Sequence, residues 1–250
     1  MKKIYILICS YYNFFLTIIE KIFFQKISRI KQSNLNLLGF EIVKIQNNAE
    51  VFKPEKTIQS NPYMFKDIIT KEDIEKFINF LFIKNNLKKI ISEKTGYFFS
   101  IDYIISYTTL NIPESQIDQE IYANHWHLDK PFSKNTLKII IPLNFKNYYN
   151  GGIKIFNFDQ TRLIKKNNSL LISEKSFEME NKKGEVLLFY PNLCFHKAGN
   201  PKSGDGRKQI MLQLNPSNRW CLNDSIYEKQ FKVEPKFPFF NYISDKKTLI

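Results

Sequence analysis

The sequence predicts a mainly β protein, a β-sandwich or jelly roll with flanking helices, from three observations. First, about eight short runs rich in β-branched and aromatic residues follow one another between Tyr97 and Leu214. Second, turn sequences such as Asn150-Gly151-Gly152 and Ser203-Gly204-Asp205-Gly206 separate these runs. Third, helical periodicity is found outside this region. Short strands at such spacing are typical of sandwiches and jelly rolls.

Residues 1–34 are predicted to form an apolar N-terminal helix. Helical spacing is kept by the apolar side chains of Ile4, Ile8, Tyr11, Phe15, Ile18 and Ile22. The apolar run is shorter than the roughly 20 residues that a membrane span needs, and no small-residue cleavage site follows it. We expect either a helix that packs on the domain or a membrane-surface anchor that makes peripheral membrane contact through residues 4–30. A cleaved or spanning segment is the third alternative.

The chain between residues 37 and 91 is predicted to hold a strand, a loop and a helix. Alternating apolar residues from Leu38 to Ile45 predict the strand. Residues 46–70 are polar and contain prolines, which favours a loop. The segment from Lys71 to Ile91 has an amphipathic pattern and follows Thr70, a good N-cap residue, so we expect one helix there.

Eight strands are expected from residue 97 onward. They cover 97–108, 121–129, 137–143, 152–158, 169–173, 185–190, 194–198 and 207–214. The stretch 216–250 is polar and contains Pro235 and Pro238, which predicts a helix and an extended tail. No repeat or linker divides the chain after residue 34, so residues 35–250 are predicted to form a single domain.

Charge distribution and cysteine content indicate which partners and which cellular compartment to expect. The formal net charge is +13, but the lysines are scattered, and no basic tract with interleaved aromatics indicates a nucleic-acid partner. The cysteines, Cys9, Cys194 and Cys221, form neither a CxxC nor a zinc pattern, as expected in a reducing compartment. We therefore expect a cytoplasmic protein that acts on a small molecule, membrane-associated if the N-terminal helix binds a membrane surface.

The three histidines of the chain all lie in one metal-ligand pattern. His127-Leu128-Asp129 falls in a predicted strand, where residues two apart share a face and lie about 6.6 Å apart. His196 follows Asp129 by 67 residues, in another predicted strand. Two imidazoles and one carboxylate suit non-haem Fe(II) and leave positions open for a bidentate oxoacid and O2. His125 shares the predicted strand face of His127, so it is either an alternative ligand or a neighbour of the site.

Two basic residues are candidates for binding the oxoacid. Arg207 follows His196 by 11 residues, and a guanidinium holds a carboxylate through two parallel charge-assisted hydrogen bonds. Lys138 interrupts the apolar run Leu137-Lys138-Ile139-Ile140-Ile141, which is an unusual place for a lysine. It either helps to bind a carboxylate or extends its ammonium to solvent. Aromatic candidates for the pocket are Tyr107, Trp126 and Phe145.

From about Leu37 to Ser217 the chain resembles the Fe(II)/2-oxoglutarate-dependent dioxygenases, most closely their phytanoyl-CoA dioxygenase-like branch. The motifs that carry the resemblance are Leu38-Gly39-Phe40, Trp126-His127-Leu128-Asp129, Asn150-Gly151-Gly152, and Lys183 to Phe189 leading to His196. The resemblance implies a double-stranded β-helix (jelly-roll) core with flanking helices, Fe(II) as the metal, and 2-oxoglutarate and O2 as cosubstrates. It also implies that His127, Asp129 and His196 bind the iron and that Arg207 anchors the distal carboxylate of 2-oxoglutarate.

The activity implied by this resemblance is hydroxylation of a small-molecule, lipid-linked or saccharide substrate, with succinate and CO2 as coproducts. Asp129 fills the position that related halogenases leave to a halide, which favours hydroxylation. The sequence departs from the family at Ala198, where relatives often have a hydroxyl residue, and at Asn200-Pro201-Lys202-Ser203. The alternative is a non-catalytic β-sandwich metal-binding protein with structural zinc, although closed zinc sites usually have four protein ligands.

Overall fold

Two β-sheets and flanking helices form the molecule. The computed structural model describes residues 11, 15–27, 30–46, 56–129, 133–144, 151–167, 175–228 and 247–250. Within these residues, nine strands form a large sheet and three short strands form a small one. This arrangement is a jelly-roll core, so the predicted mainly β fold class is confirmed.

The large sheet is antiparallel except at one described pair of strands. Its strands are β1 (Phe40–Lys44), β2 (Lys56–Asn61), β3 (Met64–Ile68), β4 (Phe98–Leu110), β5 (Leu137–Pro142), β8 (Glu185–Phe189), β10 (Gly206–Ser217), β11 (Cys221–Asn223) and β12 (Lys247–Leu249). The order is β1-β8-β5-β10-β4-β11-β12, with β11 parallel to β4. The hairpin β2–β3 joins β4 through β3, at the end of β4 away from β11.

The small sheet carries one of the predicted metal ligands. Its strands are β6 (Lys154–Ile155), β7 (Phe177–Glu178) and β9 (His196–Lys197), in the order β7-β6-β9. An isolated antiparallel bridge joins His127 to His196 in β9. The two histidines are therefore brought side by side through backbone pairing.

Helices pack on both faces of the large sheet. They are α1 (15–24), α2 (Asn34–Leu38), α3 (Lys71–Ile78), a π-helix (Asn79–Lys84), α4 (Leu87–Thr95), α5 (Phe158–Asn167) and α6 (Ser225–Glu228). Helices other than α5 cover the outer face of the sheet, and α5 packs through Phe158 on the opposite side. Phe77 of α3 and Phe82 of the π-helix belong to the same hydrophobic core as Ile139 of β5. Ile140 belongs to a second cluster, on the opposite face of the sheet. Neighbouring residues of β5 alternate in this way between the helical layer and the interior where the site lies.

Helix α1 has a buried face and an exposed face. Leu16, Glu20 and Phe24 are buried, whereas Phe15 and Ile22 are exposed. Over 15–24, α1 packs on the domain through its buried face. The helix predicted over residues 1–34 is not continuous, because 25–27 and 30–33 are not helical, and its residues 1–10, 12–14, 28 and 29 lie outside the described part of the chain. None of the helices in the described residues combines the length and hydropathy that a membrane crossing requires.

Two predictions for residues 46–91 are wrong. The expected loop contains the hairpin β2–β3. All residues of β2 but the last are exposed, so its sequence lacks the apolar alternation by which strands are recognised. The expected single helix is divided at Asn86, which adopts a left-handed conformation (φ 57°) between the π-helix and α4.

One of the expected strands is wrong, and another is shorter than expected. The segment 121–129 forms no strand and pairs only through the bridge at His127, because its backbone is irregular, with Ala123 at φ 61°. Of 152–158 only Lys154–Ile155 pairs, and α5 begins inside that stretch. The strand expected at 169–173 lies outside the described residues. The remaining predicted strands each overlap an observed one, with shifted ends.

The first predicted strand and the C-terminal stretch also differ from expectation. The stretch from Leu38 begins in α2, and β1 starts only after Gly39, whose left-handed backbone (φ 88°) ends the helix. In the C-terminal stretch, the short helix α6 is found, but β11 and β12 were not expected. Residues 229–246 lie outside the described part.

Candidate metal centre

Two histidines and an aspartate converge on one point. The Nε2 atoms of His127 and His196 lie 3.7 and 3.5 Å from Oδ1 of Asp129. One ligand atom from each residue lies within 4.8 Å of the other two. These separations are too long for good hydrogen bonds but suit donors around a single cation. The fold thus brings together all three residues of the predicted ligand set.

Backbone hydrogen bonds determine which ring nitrogen of each histidine faces the cluster. Nδ1 of His127 lies 2.8 Å from the carbonyl oxygen of His125, and Nδ1 of His196 lies 3.0 Å from that of Cys194. A carbonyl only accepts, so each Nδ1 carries the proton and each neutral ring presents a lone pair at Nε2. Burial lowers the pKa of His196, which keeps its ring neutral at pH 7. With both rings neutral, the cluster offers acceptors without protons between them, an arrangement that a cation would stabilise.

Lys138 holds the second oxygen of Asp129. Its Nζ lies 2.5 Å from Oδ2, and both side chains are largely buried. Burial alone would raise the pKa of Asp129, but Lys138 and His196 outweigh it and hold that pKa well below its usual range. Asp129 is therefore ionised, and its Oδ1 is left to face the two histidines.

Irregular backbone, rather than a strand, positions His127 and Asp129. Two backbone hydrogen bonds of 3.0 Å join His127 to His196, and the amide of Asp129 donates to a carbonyl in the loop after β8. Before them, the side-chain amide of Asn124 bonds backbone groups of the loop 117–122. Asn124 is a positioning residue that the sequence analysis did not predict. In the strand expected there, backbone groups would pair with a neighbouring strand and would need no asparagine side chain.

Arg207 is buried with part of its guanidinium unpartnered. Its side chain is 1% exposed, and Nη1 donates to the carbonyl of Gly151. Among the described residues, nothing accepts from Nε or Nη2. Each buried N–H left unpaired costs roughly 1–3 kcal/mol, whereas a carboxylate accepts both bonds at once. Burial raises the pKa of the adjacent Tyr107, and that of Tyr122 to about 12, so neither phenol is a counter-ion at neutral pH.

A cavity of about 280 Å³ is lined by both histidines and by Arg207. Apolar side chains of three neighbouring strands, Ile105 of β4, Ile140 of β5 and Met211 of β10, form part of its wall. Further lining comes from Lys138, from Ala198 and from Tyr107, whose hydroxyl accepts a hydrogen bond from Gln209. The metal cluster and the arginine are therefore reached from one space.

His125 and Trp126 lie away from this cavity and line a separate surface groove. Nε2 of His125 lies 3.2 Å from a backbone carbonyl of the preceding loop. The ring of Trp126 stacks on Phe156, with centroids 4.4 Å apart. The expectation that His125 shares a face with His127 is wrong, because the segment is not a strand. The third aromatic candidate, Phe145, lies outside the described residues.

Comparisons with known proteins give no match by sequence but several by structure. No protein-family model and no curated protein matches the chain. SnoN, a non-haem α-ketoglutarate-dependent epimerase from nogalamycin biosynthesis, matches with a TM-score of 0.54 and 11% identity, over 73% of this chain and 80% of SnoN.

Two further structures match at a similar level. HygX from Streptomyces hygroscopicus, with nickel and 2-oxoglutarate bound, has a TM-score of 0.50 and 11% identity, over 74% of this chain and 86% of HygX. EctD from S. alaskensis, with 2-oxoglutarate and 5-hydroxyectoine, has a TM-score of 0.50 and 12% identity, over 78% of this chain and 82% of EctD. The chain thus has the jelly-roll fold of these three proteins, and at such identities the likeness concerns the fold alone.

Proposed function

We propose that the protein is a non-haem Fe(II)/2-oxoglutarate-dependent dioxygenase that hydroxylates a small molecule. The observation that carries the proposal is one cavity lined by the two histidines of the metal cluster and by a buried guanidinium. Two nitrogens of this guanidinium have no partner among the described residues. A metal site alone leaves the guanidinium unexplained, since buried polar groups normally have partners. A 2-oxoglutarate molecule satisfies both because it carries a carboxylate at each end.

In this proposal, His127, Asp129 and His196 hold the metal and Arg207 holds the distal carboxylate of 2-oxoglutarate. Two imidazoles and one carboxylate are the donor set that suits Fe(II) and leaves positions for other ligands. Bound Fe(II) supplies the activation of O2 that couples oxidation of a substrate C–H bond to conversion of 2-oxoglutarate into succinate and CO2.

Lys138 is proposed to position Asp129. Its ammonium occupies Oδ2, so the carboxylate cannot rotate freely and presents Oδ1 to the cluster. Groups that fix a metal ligand in this way typically change metal affinity 10- to 100-fold when they are removed. In this proposal Arg207 binds the carboxylate of 2-oxoglutarate, and Lys138 does not.

The comparisons support 2-oxoglutarate as the cosubstrate and show that proteins with this fold catalyse different reactions. HygX holds 2-oxoglutarate with nickel, whereas SnoN is an epimerase. We propose hydroxylation over halogenation because Asp129 fills the position that related Fe(II)/2-oxoglutarate-dependent halogenases leave to a halide. The phytanoyl-CoA dioxygenase-like branch is proposed from the spacing of 11 residues between His196 and Arg207. A structural zinc site is disfavoured because it would use four protein donors and no buried arginine.

The direct test is succinate formation. The purified chain is loaded anaerobically with Fe(II), then given 2-oxoglutarate and air, and succinate is measured against O2 consumed. His127→Ala and Arg207→Met are expected to lose this activity, the first by losing metal and the second by losing 2-oxoglutarate.

The matched control is His125→Ala, a histidine two residues away that lies outside the cavity. It is expected to keep the activity of the unchanged chain. Succinate formation that survives His127→Ala, or an iron-loaded chain that forms none, would contradict the proposal.

A further inference from the structure

A row of large apolar side chains on helix α1 faces solvent. The exposed residues are Phe15, Ile18, Ile22 and Phe23. Phe15, Ile18 and Ile22 stand at intervals of three and four residues, which places them on one side of the helix, and Phe23 follows Ile22 directly. Single exposed apolar residues are ordinary, but a contiguous group marks an interaction surface. This row is called the outer face of α1 below.

The opposite side of α1 fixes the helix on the domain. The carboxylate of Glu20 is buried and accepts hydrogen bonds from the hydroxyl of Ser133 at 2.5 Å and the amide of Asn135 at 2.8 Å. Directly after the helix, Gln25 forms a β-bridge with Tyr97. The outer face is therefore held in place before any partner arrives, so that little ordering entropy is lost on binding.

The charges beside the outer face favour an anionic partner. Residues 1–31 contain six basic residues and one acidic residue. The acidic one, Glu20, points into the domain, whereas Lys21 and Lys26 are exposed. Near an anionic bilayer, each basic residue strengthens binding by about fivefold. A second copy of the chain on this face would instead bring like charges together, because a twofold contact pairs the same patch with itself.

We propose that the outer face of α1 docks in the plane of an anionic lipid bilayer surface. Phe15, Ile22 and Phe23 enter the boundary between headgroups and acyl chains, while Lys21 and Lys26 lie at the level of the lipid phosphates. This surface helix would hold the domain at the membrane, and it does so whether or not the proposed oxygenase activity is correct.

Vesicle flotation of the full chain tests the proposal. We expect binding to vesicles of phosphatidylcholine with about 30% phosphatidylserine and much weaker binding to phosphatidylcholine alone. The double substitution Ile22→Glu and Phe23→Glu is expected to lower binding at least about tenfold. Leu163→Glu, which alters an exposed leucine on another helix, α5, is the matched control and should bind like the unchanged chain.

A second variant separates the electrostatic contribution. Lys21→Glu with Lys26→Glu should weaken binding to the anionic vesicles by about 25-fold or more and leave binding to phosphatidylcholine little changed. Equal thermal unfolding midpoints show that the variants are folded. The proposal is overturned if the Ile22/Phe23 variant floats like the unchanged chain. It is also overturned if light scattering shows a dimer that this variant dissociates while no vesicle binding occurs.

Discussion

The two ends of the cavity are built in opposite ways. At the metal end, His127 and Asp129 lie on irregular backbone and His196 in the short strand β9. Each of these side chains has a second bond: the histidines to carbonyls, and Asp129 to Lys138. The arginine end lies on β4 and β10, the longest of the described strands, where Arg207 pairs in register with Thr109. Its guanidinium nevertheless lacks partners at two nitrogens among the described residues.

This difference indicates which end depends on a ligand. The metal end keeps its shape through its own hydrogen bonds, so that donors are in place before an ion arrives. The arginine end has a regular strand backbone, but two nitrogens of its guanidinium have no partner among the described residues, and a carboxylate would accept from both at once. Changes at the metal end should therefore act on metal affinity, whereas changes at the arginine end should act on 2-oxoglutarate affinity and on the stability of the ligand-free protein.

The largest effect is expected from Asp129→Asn. This substitution keeps the volume but removes the anionic donor, so metal affinity should fall by more than about 100-fold, beyond the usual cost of losing a neighbour of a ligand. Succinate formation should be abolished. Anaerobic calorimetry with Fe(II) measures the affinity. Asp118→Asn, at an exposed aspartate of the surface groove, is the control, and an equal loss there would contradict the assignment.

The next largest effect is expected from Arg207→Met. Methionine fills a similar volume without the charge, so 2-oxoglutarate affinity of the metal-loaded chain should fall about 100-fold, near 3 kcal/mol. Metal affinity without 2-oxoglutarate should stay within about twofold. Titration calorimetry gives both values. A parallel loss of metal affinity would show that the two ends of the cavity are not independent.

The same substitution should stabilise the protein when no ligand is bound. Removing a buried charge with two guanidinium nitrogens unpartnered among the described residues is expected to raise the free energy of unfolding by about 1–3 kcal/mol. Urea unfolding without 2-oxoglutarate measures this change. Arg162→Met removes an exposed arginine paired with Asp159 and should alter stability by less than about 0.5 kcal/mol. A destabilised Arg207→Met chain would instead indicate a structural role for the arginine.

A smaller effect is expected from Lys138→Met. Without the ammonium at Oδ2, Asp129 can rotate away from the histidines, so metal affinity should fall about tenfold. The 2-oxoglutarate affinity of the metal-loaded chain should change by less than about threefold, because Arg207 is untouched. If the loss of 2-oxoglutarate binding matches that of Arg207→Met, Lys138 belongs with the cosubstrate and not with the metal end.

The smallest effect is expected from His125→Ala. Its ring bonds a backbone carbonyl outside the cavity, so metal affinity should stay within about twofold, as for surface substitutions in general. His127→Ala, measured beside it, should lose metal binding. Loss of metal binding in His125→Ala alone would reverse the choice between the two histidines.

Part of the fold could be predicted because buried strands keep a recognisable pattern. The apolar runs of β5 and β8 have few polar interruptions, since both strands lie inside the large sheet. The exposed strand β2 has no such pattern. Helix α5 buries only Thr161 and Ile164, too little to produce a clear amphipathic period.

In the candidate site, too, some features could be predicted from the sequence and others could not. Residue types and spacing predict His127, Asp129 and His196 as metal ligands and Arg207 as a carboxylate anchor. The structure brings the three donors together and places Arg207 on the same cavity as the two histidines, and the roles of these residues stay predictions. The partner of Lys138 and the orientation of the histidine rings depend on backbone carbonyls and loops. These follow from local backbone angles, such as the left-handed one at Ala123 (φ 61°), which no spacing rule provides.

One measurement tests the central claim most directly: anaerobic titration of 2-oxoglutarate into the Fe(II)-loaded chain, followed by visible absorption. Chelation of the iron by the 2-oxo and adjacent carboxylate groups should give a weak charge-transfer band that saturates with one 2-oxoglutarate per chain. Arg207→Met should need about 100-fold more 2-oxoglutarate for the same band, and Asp129→Asn should give none. No band in the unchanged chain, or an unchanged titration in Arg207→Met, would contradict the account.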